Sequence, residues 1–249
     1  MMIDGIAQNY YQLGRAAQFL GLGDLFGPAD ELVRSGSVGD ELIAGLENAV
    51  CDVPEFETKR FSSIFDFRFY RIFLYSLVRA LKPNLAIETG VLHGLTSAFF
   101  LEAMERNGHG RLLSVDLPSY PQTGPANRDG VHAVLPAGRP PGWAVPGHLR
   151  PRWDLRLGSS IDVLGGSTDA DGGIDLFCHD SDHTYATMWW ELTWAWERLV
   201  PGGVLVCDNI DFSQAFFDFA ARVGKPFIAF PAPDSRYSEH VRFAVLLKS

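Results

Sequence analysis

Seven short apolar runs, most of them spaced by helical stretches, dictate the architecture. They are Leu85–Thr89, Arg111–Asp116, residues 154–157, Ile174–His179, and residues 203–207, 227–230 and 241–248. A helix is expected from about Thr96 to Asn107, and another carries Met188, Leu192, Ala195 and Leu199 on one face. Strand, helix, strand in repetition gives a parallel sheet with right-handed crossovers. The first five runs are apolar throughout, which predicts strands covered on both faces. In the last run Val241, Phe243, Val245 and Leu247 alternate with other residues, which predicts an antiparallel strand near an edge. The expected fold is α/β, a Rossmann-like, mostly parallel sheet with helices on both faces.

The chain divides near Lys82-Pro83. Residues 1–82 hold no alternating run and are expected to form an N-terminal helical cap that covers substrate. Within it Ala29–Val50 and Ile72–Leu81 carry the helical pattern, the second ending before Pro83. Residues 83–249 form the second unit, interrupted by a Pro- and Gly-rich insertion at 117–151. Structureless stretches of that length in a compact domain are uncommon and often functional.

Of the 249 residues 47% are hydrophobic, and the formal charge is −9. The acidic balance argues against nucleic acid as the main partner, since a phosphate backbone calls for a basic face. No apolar run is long enough to span a bilayer. No basic-then-apolar leader opens the chain, so a soluble, cytoplasmic protein is expected. Cys51, Cys178 and Cys207 form neither a disulfide framework nor a clustered zinc site. Exposed aromatics in the helical cap make a homodimer a plausible assembly.

Open parallel sheets bind ligands outside the carboxyl ends of their strands. Polar residues gather at those ends here. Glu88-Thr-Gly90-Val-Leu-His-Gly94-Leu-Thr96 is a strand end, a glycine turn and a helix start. Gly90 and Gly94 permit close backbone approach, and Thr96 with the helix N-terminus can hold a carboxylate. Leu92 and Leu95 occupy positions where the dinucleotide fingerprint needs glycine, so a dehydrogenase loses its main support. Asp116 follows Gly90 by 26 residues, where a carboxylate can accept both hydroxyls of a ribose. Ribose without pyrophosphate points to a nucleoside with a zwitterionic tail, such as S-adenosylmethionine.

Asp180 ends the fourth strand, and Asp208-Asn209 end the fifth. Adjacent parallel strands lie about 5 Å apart, so these side chains can converge. Two carboxylates and an amide carbonyl are hard oxygen donors, suited to Mg²⁺, Mn²⁺ or Ca²⁺, with Mg²⁺ first among them. His183, three residues after Asp180, is a candidate general base at the same mouth. His93 lines the glycine turn, and His179 points away from Asp180 by strand alternation. Trp143 and Trp153, in and beside the insertion, are candidates for an acceptor pocket.

The set Glu88-Thr-Gly90-x-x-x-Gly94-x-Thr96, Asp180-Ser-Asp182-His183-Thr-Tyr185, Pro201-Gly-Gly203 and Asp208-Asn209 resembles class I S-adenosylmethionine-dependent methyltransferases. It is most similar to the metal-dependent catechol and caffeoyl-CoA enzymes and to the bacterial macrolide-sugar O-methyltransferases. The resemblance covers residues 83–249 and implies a seven-stranded sheet ending in an antiparallel hairpin. It implies that Glu88, Gly90, Gly94 and Thr96 hold the methionine part of the cofactor, Asp116 the ribose, and Ser159-Ser160 the adenine. It also implies that Asp180, Asp208 and Asn209 hold the divalent cation, with Asp180 touching the cofactor too. His183 stands where the catechol-type enzymes carry a catalytic lysine.

The expected activity is divalent-metal-dependent O-methylation of a small-molecule hydroxyl, on a phenol, catechol or sugar, with Asp180 and His183 catalytic. The alternatives are a metal-independent transferase acting on nitrogen, carbon or carboxylate, and a non-catalytic module that binds S-adenosylmethionine.

Overall fold

A computed structural model describes residues 2–34, 38–50, 69–118, 135–136, 138–231 and 242–249. Its helices are α1 (Met2–Leu20), α2 (Phe26–Val33), α3 (Val38–Val50), α4 (Phe69–Leu81), α5 (Leu95–Asn107), α6 (Ser160–Gly165), α7 (Tyr185–Arg198) and α8 (Ala215–Val223). Its strands are β1 (Leu85–Thr89), β2 (Arg111–Asp116), β3 (Trp153–Leu157), β4 (Ile174–His179), β5 (Leu199–Cys207), β6 (Phe227–Pro231) and β7 (Arg242–Leu247). Cys51 and residues 119–134 and 137 of the insertion lie outside the described residues.

The seven strands form one sheet in the order β3-β2-β1-β4-β5-β7-β6. β1 to β5 pair in parallel, and β7 runs antiparallel between β5 and β6. The chain thus starts mid-sheet, winds outward, returns to β4 beside β1, and winds the other way. That reversal makes the tips of β1 and β4 the switch point beside which such sheets take ligands.

Strand alternation sorts the side chains onto two cores. Ala86, Leu112, Cys178, Val206 and Val245 face one layer, packed under α4 and α5 with residues from α1, α2 and α3. Ile87, Leu113, Phe177, Leu205, Cys207 and Leu246 face the other, under α6, α7 and α8. α4 lies directly against the sheet: Phe69 and Phe73 pack on Phe230 and Phe243 at ring separations of 5.4–5.9 Å. Among the described residues no helix is long and apolar enough to cross a membrane.

Four details differ from the sequence expectation. β3 is half-buried from Trp153 to Arg156 and exposed at Leu157, because it is an outer strand with a single neighbour. Leu199 opens β5 rather than closing α7. The helical pattern over 29–50 resolves into α2 and α3, two separate helices. The insertion is partly folded: Gly147–Arg152 make a 3-10 turn, and Trp143, Ala144, Val145 and Leu149 enter the core under α5.

Candidate active site

The site is built from four strand tips and the turn that follows β1. Gly90 has φ +84, and a Cβ there would stand 2.0 Å from the Asp180 carbonyl oxygen. Only glycine lets the turn pass this close to β4. Gly94 has φ +87, but the atoms crowding its α-carbon belong to Val145 and Gly142 of the insertion. Its lack of a side chain therefore admits the insertion. Thr96 is half-buried in the first turn of α5.

Glu88 is wholly buried on the α5 side of β1. Its Oε2 accepts hydrogen bonds from Ser97 Oγ (2.6 Å) and Ser114 Oγ (2.8 Å), and Trp153 Nε1 donates in turn to Ser114 Oγ (2.8 Å). Its Oε1 is buried without a hydrogen-bond partner. Burial pushes the Glu88 carboxyl up to about 7; the two serine hydroxyls oppose this, and the charge of Asp116 adds to it.

Asp116, at the tip of β2, turns Oδ2 to the backbone N–H groups of Val91 (2.9 Å) and Leu92 (2.7 Å), and Oδ1 to that of Leu117 (2.7 Å). It braces the glycine turn from β2. Ser159 caps α6 by accepting from the Asp162 N–H, while Ser160 stands near the buried Glu191 and helps to hold its carboxyl low.

The tips of β4 and β5 do converge. The Asp180 and Asp208 carboxyl groups lie within hydrogen-bonding reach of one another, and both are raised, first by burial. For Asp180 the charges of Asp208 and Glu88 add to the rise and Arg71 opposes it; for Asp208 the charge of His183 opposes it. Asn209, left-handed at φ 51, sets its Nδ2 3.1 Å from His183 Nε2. The same His183 atom is 3.9 Å from Asp180 Oδ1. The predicted group Asp180, His183, Asp208 and Asn209 is thus brought together.

Sequence reasoning missed what surrounds that group. α4 delivers Tyr70, whose hydroxyl lies 3.2 Å from Cys178 Sγ and is driven up by burial and then by Cys178, Asp208 and Asp180. It also delivers Arg71, whose charge reaches Asp180. Neither residue sits in a motif; only the position of α4 across the sheet brings them in. On the other face Glu191 of α7 is wholly buried. It accepts from Thr89 Oγ1 (2.5 Å) and Ser181 Oγ (2.7 Å), and it meets His179 Nδ1 at 2.6 Å. Burial alone would raise Glu191, but the charge and hydrogen bond of His179 outweigh it and hold the carboxyl low. His179 does face away from Asp180, as alternation required, although its Nε2 is left without a partner. Trp143 and Trp153 do not present free indoles to an acceptor. Trp143 Nε1 donates to His93 Nδ1 (3.0 Å) and Trp153 Nε1 to Ser114.

Among the described residues no group of three or more His, Cys, Asp or Glu side chains is gathered for a metal ion. The expected donor set contains two such residues and an amide. Two half-buried carboxyl groups facing each other are nonetheless a pair that a divalent cation satisfies, and their oxygen chemistry fits Mg²⁺ or Mn²⁺.

Residues 87–210 match the model of a family described as a methyltransferase domain. No curated protein is significantly similar to the chain in sequence. Among solved structures, a methyltransferase of Podospora anserina bound to SAH is 14% identical with a TM-score of 0.54, covering 84% of this chain and 88% of that one. An O-methyltransferase of Bacillus cereus in complex with SAH is 16% identical with a TM-score of 0.52, covering 84% and 91%. The calicheamicin methyltransferase CalS11 is 19% identical with a TM-score of 0.50, covering 90% and 96%. At these identities the likeness is one of fold.

Proposed function

We propose that the chain, whose residues 87–210 match the methyltransferase-domain family, is a class I methyltransferase that methylates a hydroxyl of a small molecule. In this reading S-adenosylmethionine is the donor, and Asp180, Asp208 and Asn209 hold a divalent cation. The observation that carries the reading is the meeting of Asp180 and Asp208 at adjacent strand tips, against the glycine turn after β1. The two solved relatives that hold SAH support the choice of cofactor. So does Glu88 Oε1, a buried acceptor without a partner, which an ammonium group would satisfy.

S-adenosylmethionine brings a methyl group already activated on sulfur, so the protein's task is to present an oxygen in line with it. Gly90 lets the turn pack against Asp180 and Gly94 lets the insertion pack against the turn, and Asp116 fixes that turn from β2. A divalent cation between the two carboxylates would supply positive charge that favours ionisation of the acceptor hydroxyl. His183 takes the hydroxyl proton on the Nε2 lone pair, which accepts from Asn209 Nδ2 in this structure and is given up to the substrate in exchange for that hydrogen bond. Burial of this mouth between α4 and the strand tips strengthens each of these interactions.

One observation favours a second reading, in which transfer needs no metal. Asp180 and Asp208 are close enough to share a proton, and Arg71 lends a positive charge. The pair can then persist without a cation. Binding of Mn²⁺, followed by electron paramagnetic resonance on the purified chain and on Asp208→Ala, separates the two. The first reading expects one bound ion that the substitution abolishes, together with transfer that stops on exhaustive chelation. Transfer that survives both chelation and Asp208→Ala establishes the second.

A further inference from the structure

The described end of the insertion is tied to the cofactor turn at every residue from Leu92 to Gly94. Leu92 is left-handed at φ 48, a costly conformation for a branched side chain. Its N–H is held by Asp116, and its carbonyl accepts from Gly142 N–H at 2.7 Å. The His93 carbonyl accepts from Ala144 N–H at 3.1 Å, and His93 Nδ1 accepts from the Trp143 indole at 3.0 Å. Gly94 leaves room for Val145 and Gly142. Arg150 ties the other side of the strap, donating from Nε to the Val145 carbonyl (3.2 Å) and from Nη2 to the Gly142 carbonyl (3.1 Å).

We propose that Trp143 is a positioning residue for the cofactor, holding His93, and with it the strained Leu92, in the geometry that receives the amino-acid end. The inference rests on the S-adenosylmethionine reading and deepens it, because it makes cofactor affinity depend on a segment outside the glycine turn itself. The indole hydrogen bond makes Nδ1 of His93 an acceptor, so the imidazole carries its single proton on Nε2. Burial agrees with this, lowering His93 to about 4 and keeping the ring neutral. A neutral imidazole beside the turn does not repel a cationic sulfonium as an imidazolium would.

Trp143→Phe keeps an aromatic ring at this position and removes the donor. Calorimetric titration with SAH, the demethylated cofactor, is expected to show binding weakened about fivefold, the worth of one hydrogen bond. Nitrogen-15 spectra of His93 are expected to change from one Nε2–H tautomer to a mixture. Leu149→Ala, in the same insertion and equally buried but remote from His93 in the bonding pattern, serves as the comparison. It is expected to lower the melting temperature while leaving the SAH affinity unchanged.

Unaltered SAH binding by Trp143→Phe overturns the proposal, as does equal weakening by both variants, which would mean general loosening of the insertion. A parent chain that does not bind SAH overturns the cofactor reading itself and the proposal with it. Titration of the unmutated chain gives an independent measurement should Trp143→Phe not fold. SAH must shift the His93 Nε2 and Trp143 indole resonances, and unshifted signals refute the coupling.

Discussion

Glu88→Gln tests whether the carboxyl under the glycine turn is as deeply withdrawn from water as its surroundings imply. The group has an ordinary value of 4.5 and stands at about 7 in the folded chain. The folded state therefore binds the proton more tightly than the unfolded state. Its stabilising contribution is full below about pH 4.5 and is lost as the pH rises to about 7. Two and a half units at 1.36 kcal/mol each make the loss about 3 kcal/mol, and the side chain has no exposure that would screen it. Glutamine keeps an oxygen for Ser97 and Ser114 but cannot ionise. Urea unfolding of both chains, followed by tryptophan fluorescence at about pH 4.5 and about pH 8, isolates the effect, because every other titration is common to the two. Relative to the parent, Glu88→Gln should gain about 3 kcal/mol on going to the higher pH. Parallel stability profiles would refute the argument, since they would mean that Glu88 ionises in the folded chain as freely as in water.

Two further substitutions probe the frame of the site. Gly90→Ala should destabilise the chain by more than about 3 kcal/mol in urea unfolding, because the new Cβ meets backbone atoms of Asp180 at a positive φ. A folded variant of near-parent stability would show that the turn does not pass as close to β4 as described. Glu191→Ala should cost about 3–5 kcal/mol, since it strips the buried His179 Nδ1 of its partner along with Thr89 and Ser181. A loss under about 1 kcal/mol would mean that water already satisfies that cluster.

What the sequence determined by itself was local. The strand runs, the glycine turn and the polar residues at strand ends are set by side-chain period and backbone freedom, which a linear reading captures. Because two strand tips in one parallel sheet are neighbours whenever their strands are, Asp180, His183, Asp208 and Asn209 could be grouped from spacing alone. The tertiary structure decided what no local pattern encodes. Tyr70 and Arg71 reach the mouth only because α4 crosses the sheet, and Glu191 finds His179 only because α7 packs on the opposite face. The insertion illustrates the division most clearly. Its proline and glycine content announces irregular backbone, yet whether irregular backbone is a loose loop or a strap depends on where its donors find acceptors. Trp143, Gly142 and Ala144 find theirs on His93 and Leu92, some 50 residues earlier in the chain.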